Sequence, residues 1–520
     1  MKAAGSKDVA EDSLKKRYLF KIFANFVGFV FNIITQAIIP RGLGPKAYGD
    51  FGFLSSFFTQ FIGFLDMGTS TCFYTKLSRK QNDFGLIRFY NFFVVIVSVA
   101  TLASVFLAWV FNLQQLIWPD QQMVYIGLAA IWGILAWFVG LLSMMGDASG
   151  ITVSTEKARI MQKAAGLALI LVLFAAGPIK LAQFFAYNYL ILLILAGLLI
   201  YLLVRQGYSR SKVWKLPSLQ QIKKYFQEFY LFSHPLFLIS LFSLVTGIFD
   251  RWILQVVAGS LQQGFYTLSY QIGAMCFLFT GAMMPLLLRE FSIAQANRDI
   301  GQMAALFRRY FPTLFSIAAY FSCFIALQAD KVINLFGGSQ YGGALAAVTI
   351  MAFYPIHQTY GQLTASLFFA TGQTALYRNI GISFLLLGLP LTFFLLAPAD
   401  KWGMDAGATG LAIKMVLLNV IAVNVQLYFN TKQLKLSFGR YLGQQVLSII
   451  CLLALAVFST YGVDYVLALR ANALTNFLAA GLSYSIMVIG LVYCRPSVFG
   501  LSRSDINWLS ARVKSHFQEA

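Results

Sequence analysis

Two positively charged side chains, Arg251 and Lys414, lie inside long apolar segments of the sequence. Charge inside a membrane segment is costly and usually marks a functional position. Arginine offers a planar fork that fits a pyrophosphate or a carboxylate, so Arg251 is a candidate for direct ligand contact. The alternatives for Arg251 are a structural ion pair or a gate. Lys414 has no continuous polar stripe beside it and is a candidate for setting the charge of a cavity.

The first apolar segment carries a polar stripe. Its members recur at helical spacing and fall within roughly 80° of one another around a helix. Lipid offers polar groups no partners, so this face should point into a helix bundle. There it would either line a cavity or form hydrogen bonds between helices. Its first member, Lys21, could also extend back to the membrane surface. The stripe consists of Lys21, Asn25, Gly28, Asn32 and Gln36.

Three titratable residues are candidates for ion coupling or gating: Asp66, Asp250 and His357. Asp66 is near the end of an apolar segment, where it would alternatively pair with a nearby basic residue or cap a helix. Asp250 precedes Arg251, and the side chains of neighbouring helical residues point about 100° apart. The two charges are therefore not expected simply to form an ion pair with each other. His357 lies in a polar segment weakened by a proline and a glycine, a pattern that points to binding sites. It would either titrate near neutral pH or be a hydrogen-bonded packing residue.

The composition sets the class of protein. Of 520 residues, 59% are hydrophobic and 11% are charged, against about 25% charged in a soluble domain. These values exclude a soluble enzyme, a disordered chain and a disulfide scaffold. The five cysteines show no CxxC spacing, and no phosphate-binding loop of the form GxxxxGKS or GxxxxGKT is present. Neither a metal site, a cofactor nor an ATPase is therefore expected.

Fourteen segments are long and apolar enough to cross a bilayer as helices. With the N-terminus in the cytoplasm, the inner segments carry 31 lysines and arginines and the outer loops carry six. This asymmetry is the one that orients membrane proteins, so the net charge of +20 indicates topology and not a nucleic-acid partner. The sequence predicts an all-α polytopic membrane protein with both termini in the cytoplasm. The predicted spans are 19–40, 51–72, 89–111, 124–146, 164–179, 182–204, 229–256, 264–288, 310–328, 344–370, 380–397, 407–429, 446–461 and 474–494.

The two halves of the chain repeat a glycine pattern. GLGPKAYGDFGFL follows the first predicted span, and VAGSLQQGFYTLS follows the seventh. Gly44 and Gly49 align with Gly259 and Gly264 at an offset of 215 residues. This repeat predicts two pseudo-symmetric six-helix lobes, an arrangement common in secondary transporters. The predicted organisation is a cytoplasmic tail at 1–18, an N-terminal lobe at 19–204, a basic cytoplasmic linker at 205–228, a C-terminal lobe at 229–429, two additional helices at 430–494 and a cytoplasmic tail at 495–520.

These motifs resemble a known family. The runs concerned are IIPRGLGPKAYGDFGFLSSFFTQFIGFLDMGTS at 38–70, the stretch at 232–272 that contains FSHPLFLIS and IFDRWILQVVAGSLQQGFYTLSYQI, and INLFGGSQYGGA at 333–344. In order and spacing they resemble the bacterial polysaccharide flippases, which handle O-antigen and related oligosaccharides. This family belongs to the multidrug/oligosaccharidyl-lipid/polysaccharide exporter superfamily. The resemblance extends over 18–495.

The resemblance implies a transporter and not an enzyme. It implies movement of an undecaprenyl-pyrophosphate-linked oligosaccharide across the bacterial cytoplasmic membrane, for polysaccharide, lipopolysaccharide or O-antigen biosynthesis. The implied mechanism is alternating access, with H⁺ or Na⁺ as coupling ion, and the implied surroundings are membrane lipids and a polysaccharide polymerase or other assembly partner. Such transport needs cations for the pyrophosphate and polar groups for the sugar. The residues that fit these roles are Lys21, Asn25, Asn32, Gln36, Arg251 and Lys414.

Two alternatives remain open at this point. One is a multidrug-type cation antiporter of the same superfamily. The other is a polytopic membrane enzyme of glycan assembly, although such enzymes generally present catalytic charges on sizeable outer loops and every predicted outer loop here is short.

Overall fold

The computed structural model describes residues 14–81, 83–208, 215–234, 237–276, 283–467, 473–503 and 505–507. All regular secondary structure within these residues is helical. Helices satisfy their own backbone hydrogen bonds, as lipid demands, and the predicted all-α membrane class is confirmed. The chain divides into two compact units, Met1–Gly264 and Phe265–Ala520, and each is described by itself.

In the first unit, a kinked N-terminal helix runs beside a set of apolar helices. The helices are α1 (Leu14–Asp66), α2 (Thr69–Arg79), α3 (Phe84–Val110), the single turn α4 (Gln114–Ile117), α5 (Met123–Ala148), α6 (Thr152–Ala175), α7 (Leu181–Arg205), α8 (Leu219–Ser233) and the first part of α9 (Phe237–Met275). Helix α1 packs along α6 and α5, and α5 packs on α7. Buried aromatic residues such as Phe53, Phe58 and Trp118 form one core in this unit.

The second unit is built around the helix α11. Its helices are the end of α9, α10 (Met284–Ala296), α11 (Ile300–Leu327), α12 (Ala329–Phe336), α13 (Leu345–Met351), α14 (Tyr354–Ala370), α15 (Thr374–Leu396), α16 (Gly407–Gln433), α17 (Phe438–Leu467) and α18 (Ala473–Cys494). Helix α11 packs on α14 and α17, and α16 packs on α14 and α15. Phe307, Phe311 and Tyr360 lie fully buried in the core that these helices share.

Helices α1 and α9 each contain two arms that meet at a glycine. Gly44 has φ 75° and ψ 163°, and Gly259 has φ 71° and ψ −175°. Glycine adopts a positive φ at no steric cost, and Pro45 then starts the second arm at a position that proline favours. The arms are called α1a (14–43), α1b (45–66), α9a (237–258) and α9b (260–275). The sequence repeat therefore has a structural counterpart, the same backbone break at equivalent glycines.

Eleven helices of the described residues are long and apolar enough to span a membrane. The kinked helices α1 and α9 count once each among these eleven, although each has two arms. The number of fourteen spans stays a prediction.

Two helices begin where the sequence suggested loops. The fifth predicted span, 164–179, overlaps α6, which begins already at Thr152 and ends at Ala175. Its first turns tolerate charge because Arg159 Nη1 pairs with Oε1 of the buried Glu156 at 2.7 Å. The segment 205–228, predicted as a linker, contains the start of α8, where Ser218 and Gln221 satisfy each other's backbone N–H groups. Several basic residues interpreted as loop charges therefore lie on helices.

Candidate functional site

Arg251 lies on α9a and is held against α9b. Its Nη1 donates to Oε1 of Gln263 at 3.0 Å, and Nε2 of Gln263 donates back to the carbonyl oxygen of Arg251. Gln263 is fully buried, whereas Arg251 is half-buried. The buried amide therefore fixes the direction of an arginine that still reaches the surface of the unit.

Helix α9a is also tied to the segment around α4. Nε1 of Trp252 donates to the carbonyl oxygen of Leu116 at 2.7 Å. Nε2 of Gln255 donates to the carbonyl oxygen of Pro119 at 3.3 Å and to Oγ of Ser260 at 3.0 Å. Arg251 thus belongs to a stretch of α9a that is held by several side-chain hydrogen bonds, an environment that no local pattern of the sequence indicates.

The guanidinium of Arg251 acts electrostatically on Tyr48, which is buried on α1b. The hydroxyl of Tyr48 donates to Oε1 of Gln36 at 3.3 Å. Gln36 is the last member of the polar stripe predicted on α1a. The structure therefore brings two of the predicted site residues, Gln36 and Arg251, near Tyr48. Asp250, the neighbour of Arg251, is buried.

The arms α1b and α9b meet at two glycines of the repeat. A side-chain carbon on Gly49 would lie 2.6 Å from the backbone nitrogen of Gly264 and still closer to the carbonyl oxygen of Ser260. One on Gly264 would collide with the carbonyl oxygen of Pro45. Since 45 and 49 correspond to 260 and 264 in the repeat, the contact is reciprocal.

A cation that the sequence analysis did not single out lies against the polar stripe. The tip of Lys163, on α6, covers Gly28 so closely that a side-chain carbon on Gly28 would collide with Nζ. Lys163 is exposed on its helix, and both Arg159 and Glu156 act on it electrostatically. The sequence places Lys163 in a loop, because the predicted span begins at residue 164, whereas α6 begins at Thr152. The glycine in the middle of the stripe was the available signal, since it leaves room for a long side chain from a neighbour.

The rest of the stripe is only partly described. Asn32 is exposed on α1a, as a residue lining an open space would be. Lys21 and Asn25 lie on the helix, but their side chains are outside the described residues. A cavity-lining role for all of these residues stays a prediction.

Asp66 lies at the opposite end of α1b from Tyr48, roughly 27 Å away along the helix axis. Its Oδ1 accepts hydrogen bonds from the Thr69 hydroxyl at 2.8 Å, from the Ser70 hydroxyl at 2.6 Å and backbone N–H at 3.1 Å, and from the Tyr90 hydroxyl at 3.1 Å. The Ser70 N–H is one of the donors left free in the first turn of a helix. The geometry thus gives Asp66 a capping position at α2, and its part in ion coupling stays a prediction.

In the second unit, Lys414 and His357 lie in separate buried environments. Lys414 on α16 is 6% exposed, and a side-chain carbon on Gly388 of α15 would lie 3.3 Å from its Nζ. His357 on α14 is buried beside Phe315, and Gln445 forms hydrogen bonds with both His357 and Asn424. Asn424 is roughly 15 Å from Lys414 along α16, so the lysine and the histidine belong to different clusters.

No group of three or more histidine, cysteine, aspartate or glutamate side chains that could hold a metal ion occurs in the described ranges. All five cysteines are free thiols. The candidate site therefore consists of cations, amides and hydroxyls, which suit hydrogen bonding and charge neutralisation.

The sequence profile of the family described as polysaccharide biosynthesis protein matches residues 14–287, just over half of the chain. The chain belongs to this family. It is a multi-pass membrane protein of polysaccharide biosynthesis, and the resemblance noted from its motifs is confirmed. No curated protein matches the chain.

Solved structures of transporters share the fold. The lipid II flippase MurJ in an inward closed conformation is 12% identical, with a TM-score of 0.66 over 92% of this chain and 99% of that one. An inward-facing multidrug resistance transporter of the MATE family, within the MOP superfamily, is 14% identical, with a TM-score of 0.64 over 80% of this chain and 98% of that one. A MOP superfamily transporter from Pyrococcus furiosus is 14% identical, with a TM-score of 0.54 over 84% and 99%. At these identities the likeness establishes the fold alone.

Proposed function

We propose that this protein is a flippase that moves an undecaprenyl-pyrophosphate-linked oligosaccharide from the inner to the outer leaflet of the bacterial cytoplasmic membrane. The proposal places both termini in the cytoplasm, as the charge asymmetry of the sequence predicts. Membership of a polysaccharide biosynthesis family and a transporter fold support it.

The observation that carries the proposal is the position of Lys163 over Gly28. An exposed ammonium group lies against the polar stripe of α1a, on a helix apolar enough to span the membrane. A diphosphate needs cationic partners, and a glycan needs amide and hydroxyl partners such as Asn32 and Gln36. Lys163 therefore joins the predicted substrate-binding residues.

Arg251 supplies a second cation in the same unit. Gln263 holds its guanidinium, and Tyr48, on which its charge acts, forms a hydrogen bond with Gln36. A guanidinium whose direction is fixed loses less conformational entropy when it binds an anion. In the proposed transport cycle, Arg251 contacts the substrate or controls its passage beside α9a.

Ion coupling is the second part of the proposal. H⁺ or Na⁺ would drive alternating access through Asp66, Asp250 or His357. His357 is a candidate because its buried Nδ1 has no hydrogen-bond partner among the described residues. A polysaccharide polymerase or other assembly partner would take the flipped lipid-linked unit.

The test is a reconstituted flipping assay. Proteoliposomes would contain a fluorescent undecaprenyl-pyrophosphate oligosaccharide, and loss of label from the inner leaflet would be measured with and without a proton or sodium gradient. We expect flipping by the wild type and a loss of at least tenfold in Lys163→Gln. The matched control is Lys157→Gln, because Lys157 is an exposed lysine on the same helix that lies over the ring of Phe20.

Two outcomes would count against the proposal. Absence of flipping by a folded wild-type protein, with efflux of a cationic drug from the same vesicles, would identify a multidrug antiporter instead. Incorporation of labelled sugar into lipid by the purified chain would identify an enzyme.

A further inference from the structure

The second unit contains a basic cleft. Its volume is about 800 Å³, and it is bounded by the start of α11, the start of α17 and the segment after α18. Three arginines line it, Arg308, Arg309 and Arg440, against one carboxylate, Asp505. The sequence places all three elements at the cytoplasmic side, where anionic lipid head groups are concentrated.

The arginines of this arginine cleft are not equivalent. The guanidinium of Arg309 pairs with Asp505 at 3.7 Å. The charges of Arg308 and Arg440 both act on the hydroxyl of the buried Tyr441. Arg308 on α11 and Arg440 on α17 therefore both line the cleft together with Tyr441.

The wall of the cleft contains a buried amide group, that of Gln444. Nε2 of Gln444 is buried and has no hydrogen-bond partner among the described residues, and leaving such a group unsatisfied is costly. The segment after α18 is held beside this amide, because Oγ of Ser448 donates to the carbonyl oxygen of Val498 at 2.6 Å and Gly500 packs against both Pro312 and Gln444. The amide is enclosed by the wall, so the cationic groups that face the opening of the cleft are the exposed side chains of Arg308 and Arg440.

One face of α17 continues from the cleft into an apolar stripe. Six exposed residues fall within roughly 80° of one another around this helix. The polar end lies in the cleft, and the apolar end extends roughly 16 Å from Leu447 to Phe458, about half of a 30 Å bilayer core. The stripe consists of Arg440, Gly443, Leu447, Ile450, Ala454 and Phe458.

We propose that the arginine cleft binds the phosphate of an anionic membrane phospholipid, with one acyl chain along the apolar stripe of α17. Arg308 and Arg440 bind the phosphate oxygens. The charges fit a phosphodiester, and the adjoining stripe fits a chain that is already in the membrane. The proposal concerns a resident lipid and is independent of which substrate the protein transports.

The test measures lipid binding by the purified full-length protein with native mass spectrometry. Phosphatidylglycerol is titrated against phosphatidylcholine with the same acyl chains, and inorganic phosphate and glycerol phosphate are tested as soluble anions by thermal shift. The test variant is the double substitution Arg308→Gln with Arg440→Gln. The matched control is Arg378→Gln, an exposed arginine of the second unit whose guanidinium contacts Asn379 and which does not line the cleft.

We expect the wild type to prefer phosphatidylglycerol and the double variant to lose roughly 30-fold in affinity for it, with Arg378→Gln unchanged. Equal losses in both variants would overturn the proposal, because the arginines would then act only as general surface charge. Free phosphate or glycerol phosphate binding as tightly as the lipid would overturn the assignment to a phospholipid.

A second variant keeps the proposal testable if the double variant does not fold. Asp505→Asn removes the carboxylate and frees Arg309. Affinity for phosphatidylglycerol should rise several-fold, and an unchanged or lower affinity would count against the cleft.

Discussion

Gly49 and Gly264 are packed so closely that neither position has space for a side chain. They occupy equivalent places in the internal repeat, each one turn beyond the start of an arm that follows a glycine break. The contact is reciprocal, because each glycine lies against the backbone at the start of the other arm. Close approach of this kind between small residues is how helices associate in membranes, where there is little hydrophobic force to bring them together.

Gly49→Ala and Gly264→Ala should each destabilise the protein by about 1–3 kcal/mol, since a methyl group at either site meets backbone atoms that cannot rotate away. The measurement is the thermal unfolding temperature in detergent, followed by size-exclusion chromatography. Gly63→Ala is the control, because a side-chain carbon there meets nothing within 4 Å in the part of the chain that the structure describes. Equal unfolding temperatures for Gly49→Ala and Gly63→Ala would show that the contact does not hold the arms.

The glycine breaks were predictable from the sequence because the information is local. A glycine pattern repeated at one offset identifies two equivalent turns, and the backbone at Gly44 and Gly259 agrees. Arg251 and Lys414 were also identifiable, since a charge within an apolar run stands out. Their surroundings, Gln263 and Gly388, are not encoded in any local pattern.

Lys163 was missed for a physical reason. Hydropathy treats a charged turn as a loop, but the start of α6 keeps its helix because Glu156 and Arg159 pair along it. The arginine cleft is not visible in the sequence for a related reason. Arg308 and Arg440 lie in segments that are predicted to be cytoplasmic, where basic residues are common. A charge is conspicuous in a sequence when its neighbours are apolar, whereas the arginines of the cleft come together only in the folded chain.

Arg251 and Gln263 should be energetically coupled. A hydrogen bond to a charged group contributes about 1.5–3 kcal/mol, and the return bond from Gln263 to the backbone of Arg251 belongs to the same unit. In a double-mutant cycle with Arg251→Ala and Gln263→Ala, we expect a coupling of about 1 kcal/mol or more in unfolding stability. Additive effects would mean that the pair is not formed.

Transport by the same variants separates two roles of Arg251. A further variant, Arg251→Lys, is compared with Arg251→Ala. If the guanidinium contacts substrate, the lysine should recover more of the lost stability than of the lost flipping, because lysine lacks the planar fork. Equal recovery of stability and flipping would mean that Arg251 only stabilises the contact between α9a and α9b.

Asp66→Asn separates helix capping from ion coupling. An asparagine keeps one acceptor oxygen for Thr69, Ser70 and Tyr90, so capping predicts little loss of stability and an intact response to an ion gradient. Asp66→Ala removes the acceptor and should cost about 0.5–2 kcal/mol. Stability is measured by thermal unfolding and coupling by flipping under an imposed proton or sodium gradient. Normal stability of Asp66→Asn with complete loss of the ion response would assign the carboxylate to coupling.

Asp83 should make stability depend on pH at the start of α3. Burial alone would raise the pKa of Asp83, but hydrogen bonds from the Leu86 N–H and the Tyr225 hydroxyl, with the charges of Lys80 and Lys224, hold that pKa below its usual range. A lowered folded-state pKa contributes stability that is present above the unfolded value of about 3.9 and is lost as pH falls through the folded value.

The wild type should therefore unfold at a higher temperature than Asp83→Asn above about pH 5, and this difference should shrink as the pH approaches 3. Tyr225→Phe removes one donor to the carboxylate, so its unfolding temperature should depend less on pH in this window than that of the wild type. The measurement is thermal unfolding in detergent between pH 3 and pH 7. A difference between the wild type and Asp83→Asn that stays constant down to pH 3 would contradict the assignment, because the carboxylate would then contribute nothing through its charge.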